Sequence, residues 1–110
     1  MDSKTLLLTL QEMALKAKVD PSLQALVFVE LTGADPALWT GRVGGGQVQL
    51  GEGRPENPDL TVTAASETAV ALFEKRLNPL MAFMTGKVKV KGDMAKVALL
   101  KSLLAGKKKA

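Results

Sequence analysis

An α+β fold is predicted for this chain, with a five-stranded, mostly antiparallel sheet and helices packed on one of its faces. Three observations predict it. Five runs read as strands, at 23–31, 37–43, 47–50, 59–64 and 87–91, most of them alternating apolar and polar residues. Four others carry apolar residues at helical spacing, at 5–18, 66–76, 78–85 and 94–104. Short turns join the first strands, which argues for an antiparallel core. The last strand is set apart by helices and is expected to lie parallel to a neighbour.

The first helix places Leu6, Leu10, Met13 and Ala17 on one stripe, with Asp2 or Ser3 as its cap. Asp20-Pro21 ends it, because proline disfavours helix at the residue before it. The run 23–31 is rich in Val, Leu and Phe. It assigns Ala25, Val27, Val29 and Leu31 to one face, and Leu26, Phe28 and Glu30 to a face that reaches water. Thr32-Gly33-Ala34-Asp35-Pro36 is turn chemistry, and the next strand carries the single tryptophan, Trp39. Gly44-Gly45-Gly46 lacks the Gly-Lys-Ser/Thr of a phosphate-binding loop and no helix follows it, so it reads as a hairpin turn.

Leu60, Val62 and Ala64 alternate with Thr61 and Thr63 in a fourth half-buried strand. Ser66 is placed as the cap of the helix whose inner face is Ala69, Leu72 and Phe73. A shorter helix follows, written with Asn78 as cap, Pro79 at the first helical position and Gly86 past the end. In the fifth strand Val88 and Val90 face one side and Lys87, Lys89 and Lys91 the other. Asp93 then caps a helix carrying Met94, Val97, Leu100, Leu103 and Leu104.

At 110 residues the chain fits one domain, 1–110, with 106–110 expected to be a mobile tail. No apolar run approaches the roughly 18 residues of a membrane span. The opening residues lack a signal peptide's apolar length and cleavage site, so a cytoplasmic location is expected. There is no Cys, His or Tyr. That removes thiol chemistry, the commonest general base and the usual transition-metal ligands, so no cofactor, metal site or catalytic residue is expected. Neither Gly-x-Ser-x-Gly nor Ser-x-x-Lys occurs, and a non-enzymatic binding role is the expectation.

The formal charge of +4 conceals a division. Residues 1–74 hold five Lys/Arg against ten Asp/Glu, whereas residues 75–110 hold ten against one. The plain reading is that lysines solubilise an exposed strand and helix. An oriented surface potential is the other reading.

The order Asn78-Pro79, Ala82-Phe83, Gly86-Lys87, Lys89 and Gly92-Asp93-Met94, followed by a Leu-rich helix, resembles the C-terminal half of the sterol carrier protein type 2 domain. This is a small lipid-binding module. The likeness extends more weakly to 23–65 and covers almost the whole chain, read as a stand-alone, prokaryotic member. It implies a hydrophobic tunnel between helices and sheet, roofed partly by the C-terminal helix, that takes fatty acids, acyl-CoA, sterols or phospholipids.

On the residues alone, the Met and Leu stripes of the last helices read as ordinary core. Two short helices in succession, however, cover a twisted sheet poorly, and methionine adapts to ligands of variable shape. With the resemblance, the tunnel candidates are Trp39, Leu72, Phe73, Leu77, Met81, Phe83, Met84, Met94, Val97, Leu100 and Leu104. Lys87, Lys89, Lys91 and Lys101 are the candidate contacts for a head group or an anionic membrane. A linear acyl chain is the first choice, since nothing here reads a sterol hydroxyl. The ending Lys-Lys-Lys-Ala is unlike the Ser-Lys-Leu peroxisomal address. A monomer or weak dimer is expected.

Two other classes compete. The chain has no room for a catalytic domain, so it could serve as an accessory partner of a lipid-metabolising enzyme. The lysine row could also follow a phosphate backbone, but exposed interleaved aromatics are missing and no nucleic acid is expected.

Overall fold

The first helix starts where the Asp2 carboxylate accepts the Thr5 amide at 2.8 Å. The Thr5 amide, followed by its hydroxyl, holds the Asp2 carboxyl below the usual carboxylate range. This contribution is present at neutral pH and is lost as pH falls through the lowered value. The computed structural model describes residues 1–98. Its elements are α1 (Ser3–Lys16), β1 (Ala25–Thr32), β2 (Ala37–Gly44), β3 (Gln47–Glu52), β4 (Leu60–Ala65), α2 (Ser66–Phe73), α3 (Pro79–Met84) and β5 (Val88–Gly92). Residues 94–98 are again helical, and Asp93 caps them by accepting the Ala95 amide at 2.9 Å.

The fold is α+β, with one five-stranded sheet in the order β3-β2-β1-β4-β5. Three pairings are antiparallel and β1–β4 is parallel. The sequence placed the parallel pairing at the last strand. It occurs instead at the centre, because β5 returns antiparallel along β4, while residues 53–59 carry the chain from the far edge back to the side of β1. Both ends of that crossing are fixed. The Gly53 amide donates to the Leu38 carbonyl at 2.8 Å and the Asp59 amide to the Leu26 carbonyl at 2.7 Å.

Register sorts the side chains by face. Val29 lies beside Trp39 and Val62, and Val62 beside Val90, so these residues share one face. Their neighbours Phe28, Thr61 and Lys91 share the other. Leu6 and Leu7 of α1 pack with Leu31 and Trp39 on the first face, while Ala82 of α3 packs with Ala64 and Val88. The second face is less wet than the sequence suggests. Phe28 is only 3% exposed, and the guanidinium of Arg54 lies 4.7 Å from its ring centroid.

Helix boundaries differ from expectation at both ends of α1 and of α2, which stops at Phe73 rather than Arg76. α1 lies two residues closer to the N-terminus at each end, since the Val19 amide is taken by Gly46 of the β2–β3 turn. Ser66 is the first helical residue of α2 rather than its cap. Its buried hydroxyl accepts the Asp35 amide at 3.2 Å and so ties the β1–β2 turn to α2.

Asp59 joins three strands. Its carboxylate accepts the Leu26 amide at 2.8 Å and its carbonyl accepts the Asp93 amide at 3.0 Å. Gly92 passes so close, at φ 131°, that an added Cβ would stand 2.2 Å from the Asp59 carbonyl oxygen. Gly92→Ala is therefore expected to cost about 2–4 kcal/mol in denaturant unfolding. Gly44→Ala, which meets nothing within 4 Å, should change stability little.

Candidate functional site

Inward-facing strand residues meet the helices over a gap rather than a continuous interface. A cavity of about 410 Å³ lies between them. Its floor is Val27, Val29 and Leu31 of β1, Trp39 of β2, Val62 and Ala64 of β4 and Val88 of β5. Its walls are Leu6 and Leu10 of α1, Ala69, Leu72 and Phe73 of α2, and Pro79 of α3. Every lining side chain is a hydrocarbon or aromatic group, save for the indole N–H of Trp39. Such a space favours the tail of an amphiphile and offers almost nothing to a carboxylate or hydroxyl.

The local sequence explains the shape. Ala69 is small and faces inward, and α2 ends after eight residues. α3 has only six, and buries Ala82 completely against the sheet. Among the described residues, short helices with alanine at their contacts leave space between the valines of β1 and β4 and the large side chains of Leu6, Leu10, Leu72 and Phe73.

Of the tunnel residues expected from sequence, Trp39, Leu72 and Phe73 line the cavity. Leu77 is half-buried beside it and packs against the cluster of Ala64, Ala82 and Val88. Met81, Met84 and Met94 lie at the surface, 53%, 71% and 77% exposed. With Ala82 turned to the sheet, Met81 and Met84 fall about 100° and 160° away around α3. Phe83 and Val97 are half-buried and are not among the lining residues. Leu100, Leu104 and Lys101 lie outside the described residues.

Sequence reasoning passed over Leu6 and Leu10 and the strand residues of the floor. Their periodicity marked them as inward-facing, but a packed core gives the same signal. Lys87, Lys89 and Lys91 are exposed and alternate with the inward Val88 and Val90, so they project from the sheet face opposite the cavity. Among the described residues, no group of three or more His, Cys, Asp or Glu is arranged to hold a metal ion. No helix there is long and apolar enough to cross a membrane.

A second groove, of about 450 Å³, adjoins the cavity and shares Leu72 and Pro79 with it. Its other walls are Lys75, Arg76, Leu77 and Asn78, the segment between α2 and α3. Arg76 pairs with Glu74 at 2.8 Å.

A family model described as the SCP-2 sterol transfer family matches residues 4–105. Hydroxysteroid dehydrogenase-like protein 2 of Rattus norvegicus is 34% identical over 92 residues, which is 83% of this chain and 18% of that protein. Stomatin-like protein 1 of Mus musculus is 45% identical over 60 residues, 54% of this chain and 15% of that protein. The chain therefore spans less than a fifth of the length of either relative. The solution structure of palmitated SCP2L2 from Aedes aegypti superposes with a TM-score of 0.78 at 22% identity. That match covers 94% of this chain and 95% of the mosquito one, and it establishes a common fold. With its sequence matched from residue 4 to residue 105, the chain belongs to the SCP-2 sterol transfer family of lipid-binding domains.

Proposed function

We propose that this protein carries single-chain lipids, fatty acid or fatty acyl-CoA first, with the acyl tail in the cavity between the sheet, α1 and α2. The observation that carries the reading is the almost wholly apolar lining of that 410 Å³ space in a member of a lipid-binding family. Sterol and phospholipid are further candidates. A sterol hydroxyl buried there would meet only the hydrocarbon wall and one indole N–H, which favours the linear tail.

Magnitudes support the proposal. Burying about 12–15 methylenes at roughly 0.8 kcal/mol each gives on the order of 10–12 kcal/mol. Association and chain-ordering costs of several kcal/mol leave micromolar to nanomolar affinity. Binding of this kind needs no covalent step, and the function we infer is non-enzymatic. Lys87, Lys89 and Lys91 face away from the cavity, so their role in this reading is transient contact with an anionic membrane in the cytoplasm, by a monomer or weak dimer.

A second reading is an accessory domain that hands lipid to an enzyme. It draws on the much greater length of the hydroxysteroid dehydrogenase-like relative, of which this chain matches 18%. Co-purification with such an enzyme, together with no extractable lipid, would favour it over a free carrier.

Mass spectrometry of an organic extract of the purified protein is expected to release fatty acid or acyl-CoA. Trp39, 4% exposed and part of the cavity floor, provides a local reporter. A fatty acid brominated along its chain should quench Trp39 fluorescence to saturation at one equivalent. No saturable quenching would rule out tail binding at this cavity. Ala69→Phe, which fills the space from α2, should weaken palmitate binding about tenfold or more while far-UV circular dichroism stays unchanged. Unaltered affinity in a folded Ala69→Phe variant would relocate the site.

A further inference from the structure

α2 ends in an unusual way. The Arg76 amide donates to the Ala71 carbonyl at 2.9 Å and the Lys75 amide to the Leu72 carbonyl at 3.1 Å. This is the paired closure in which the residue after the cap turns left-handed and is most often glycine. Here that residue is Lys75, at φ 63°. A long cationic side chain therefore stands where the backbone favours none. The consequence is positional: the left-handed turn places Lys75 and Arg76 on the wall of the groove that shares Leu72 and Pro79 with the lipid cavity.

We propose that this groove is the head-group site, and that Lys75, with Arg76 beside it, receives the anionic head of a single-chain lipid, a carboxylate or a phosphate. The inference rests on the tail-in-cavity reading above and adds the polar half of the ligand. The cavity itself holds no cation to neutralise an anion, so the charge has to stay at its rim. The lysine row of β5 lies on the opposite sheet face and does not reach that rim. At the rim, Arg76 is engaged by Glu74, through contacts of 2.8 and 3.0 Å. The Lys75 ammonium has no hydrogen-bond or ion-pair partner among the described residues. Asn78, on the same wall, has its side-chain oxygen committed to capping α3 through the Leu80 and Met81 amides, which leaves its amide nitrogen as a further donor.

The test compares cis-parinaric acid with its methyl ester on the full chain, as wild type, Lys75→Gly and Lys75→Gln. Wild type should bind the acid more tightly than the ester. Both variants should lower affinity for the acid about fivefold to tenfold and leave the ester unchanged. Lys75→Gly should at the same time raise the thermal midpoint by about 2–5 °C, because glycine relieves the left-handed turn. A loss of acid binding that accompanies higher stability cannot be a folding defect. Competition by palmitate and by lysophosphatidate separates the two head groups: the one whose displacement constant moves with Lys75 is the one recognised. Equal changes for acid and ester, or no change for the acid, would overturn the head-group site while leaving the cavity reading intact. Failure of wild type to bind either probe would overturn both.

Discussion

A sheet face must be covered by something of its own size, and here the described helices are too short for that. Five strands at about 4.8 Å spacing make a surface roughly 19 Å across between its outer strand axes. At 1.5 Å per residue, α2 and α3 run about 12 Å and 9 Å. α1 is longer, about 21 Å, but it lies toward the β3 edge, where Gln11 donates to the Leu50 carbonyl at 2.9 Å. The strip that the described helices cover least closely is the middle, over β1 and β4, and its residues on the cavity floor are Val27, Val29, Val62 and Ala64. Filling it with larger side chains would give an ordinary core. Among the described residues, the cavity thus goes with short helices and with alanine at positions 64, 69 and 82.

The same shortage explains what could and could not be read from sequence. Element types and order were legible, because alternation and capping act within a few residues. Asn78-Pro79 as the start of α3 is a clear case: the Asn78 side chain accepts from Leu80 and Met81 at 2.9 and 3.2 Å. Ser66 misled because its hydroxyl serves a residue 31 positions away, and no local rule contains that partner. The parallel pairing at the sheet centre depends on where residues 53–59 cross, which Gly53 and Asp59 settle through hydrogen bonds to strands distant in sequence.

The candidate site was legible only where residue size and burial coincide. Trp39, Leu72 and Phe73 are large and inward-facing, so a list of bulky apolar residues found them. Met81 and Met84 belong to the same composition but sit on a helix of six residues whose buried side is taken by Ala82. In so short a helix, one alanine against the sheet decides the orientation of all the rest. The floor valines and α1 leucines escaped notice for the opposite reason. Their pattern was unambiguous, but periodicity reports which way a side chain faces and carries no information about whether anything stands opposite.

Selectivity follows from the same chemistry. An apolar pocket separates ligands that differ by one methylene by only about 1–3 kcal/mol, and it rejects an added hydroxyl weakly unless a polar partner is left unpaired. Tails of similar length would therefore compete nearly equally for this cavity. Sharper discrimination requires a polar group at a fixed point, and the described structure offers one beside the cavity, where α2 turns left-handed at Lys75. Opposite, on the far face of the sheet, Lys87, Lys89 and Lys91 form a separate cationic row. Two positive features on two sides of one small sheet can act at different moments. In the proposed reading, one would meet a surface carrying many anions and be screened by salt, and the other would hold a single head group beside a buried tail. A carrier working as proposed, collecting a lipid at a membrane and then retaining it, would need both and need them apart, because a cation engaged at the surface cannot also hold the cargo.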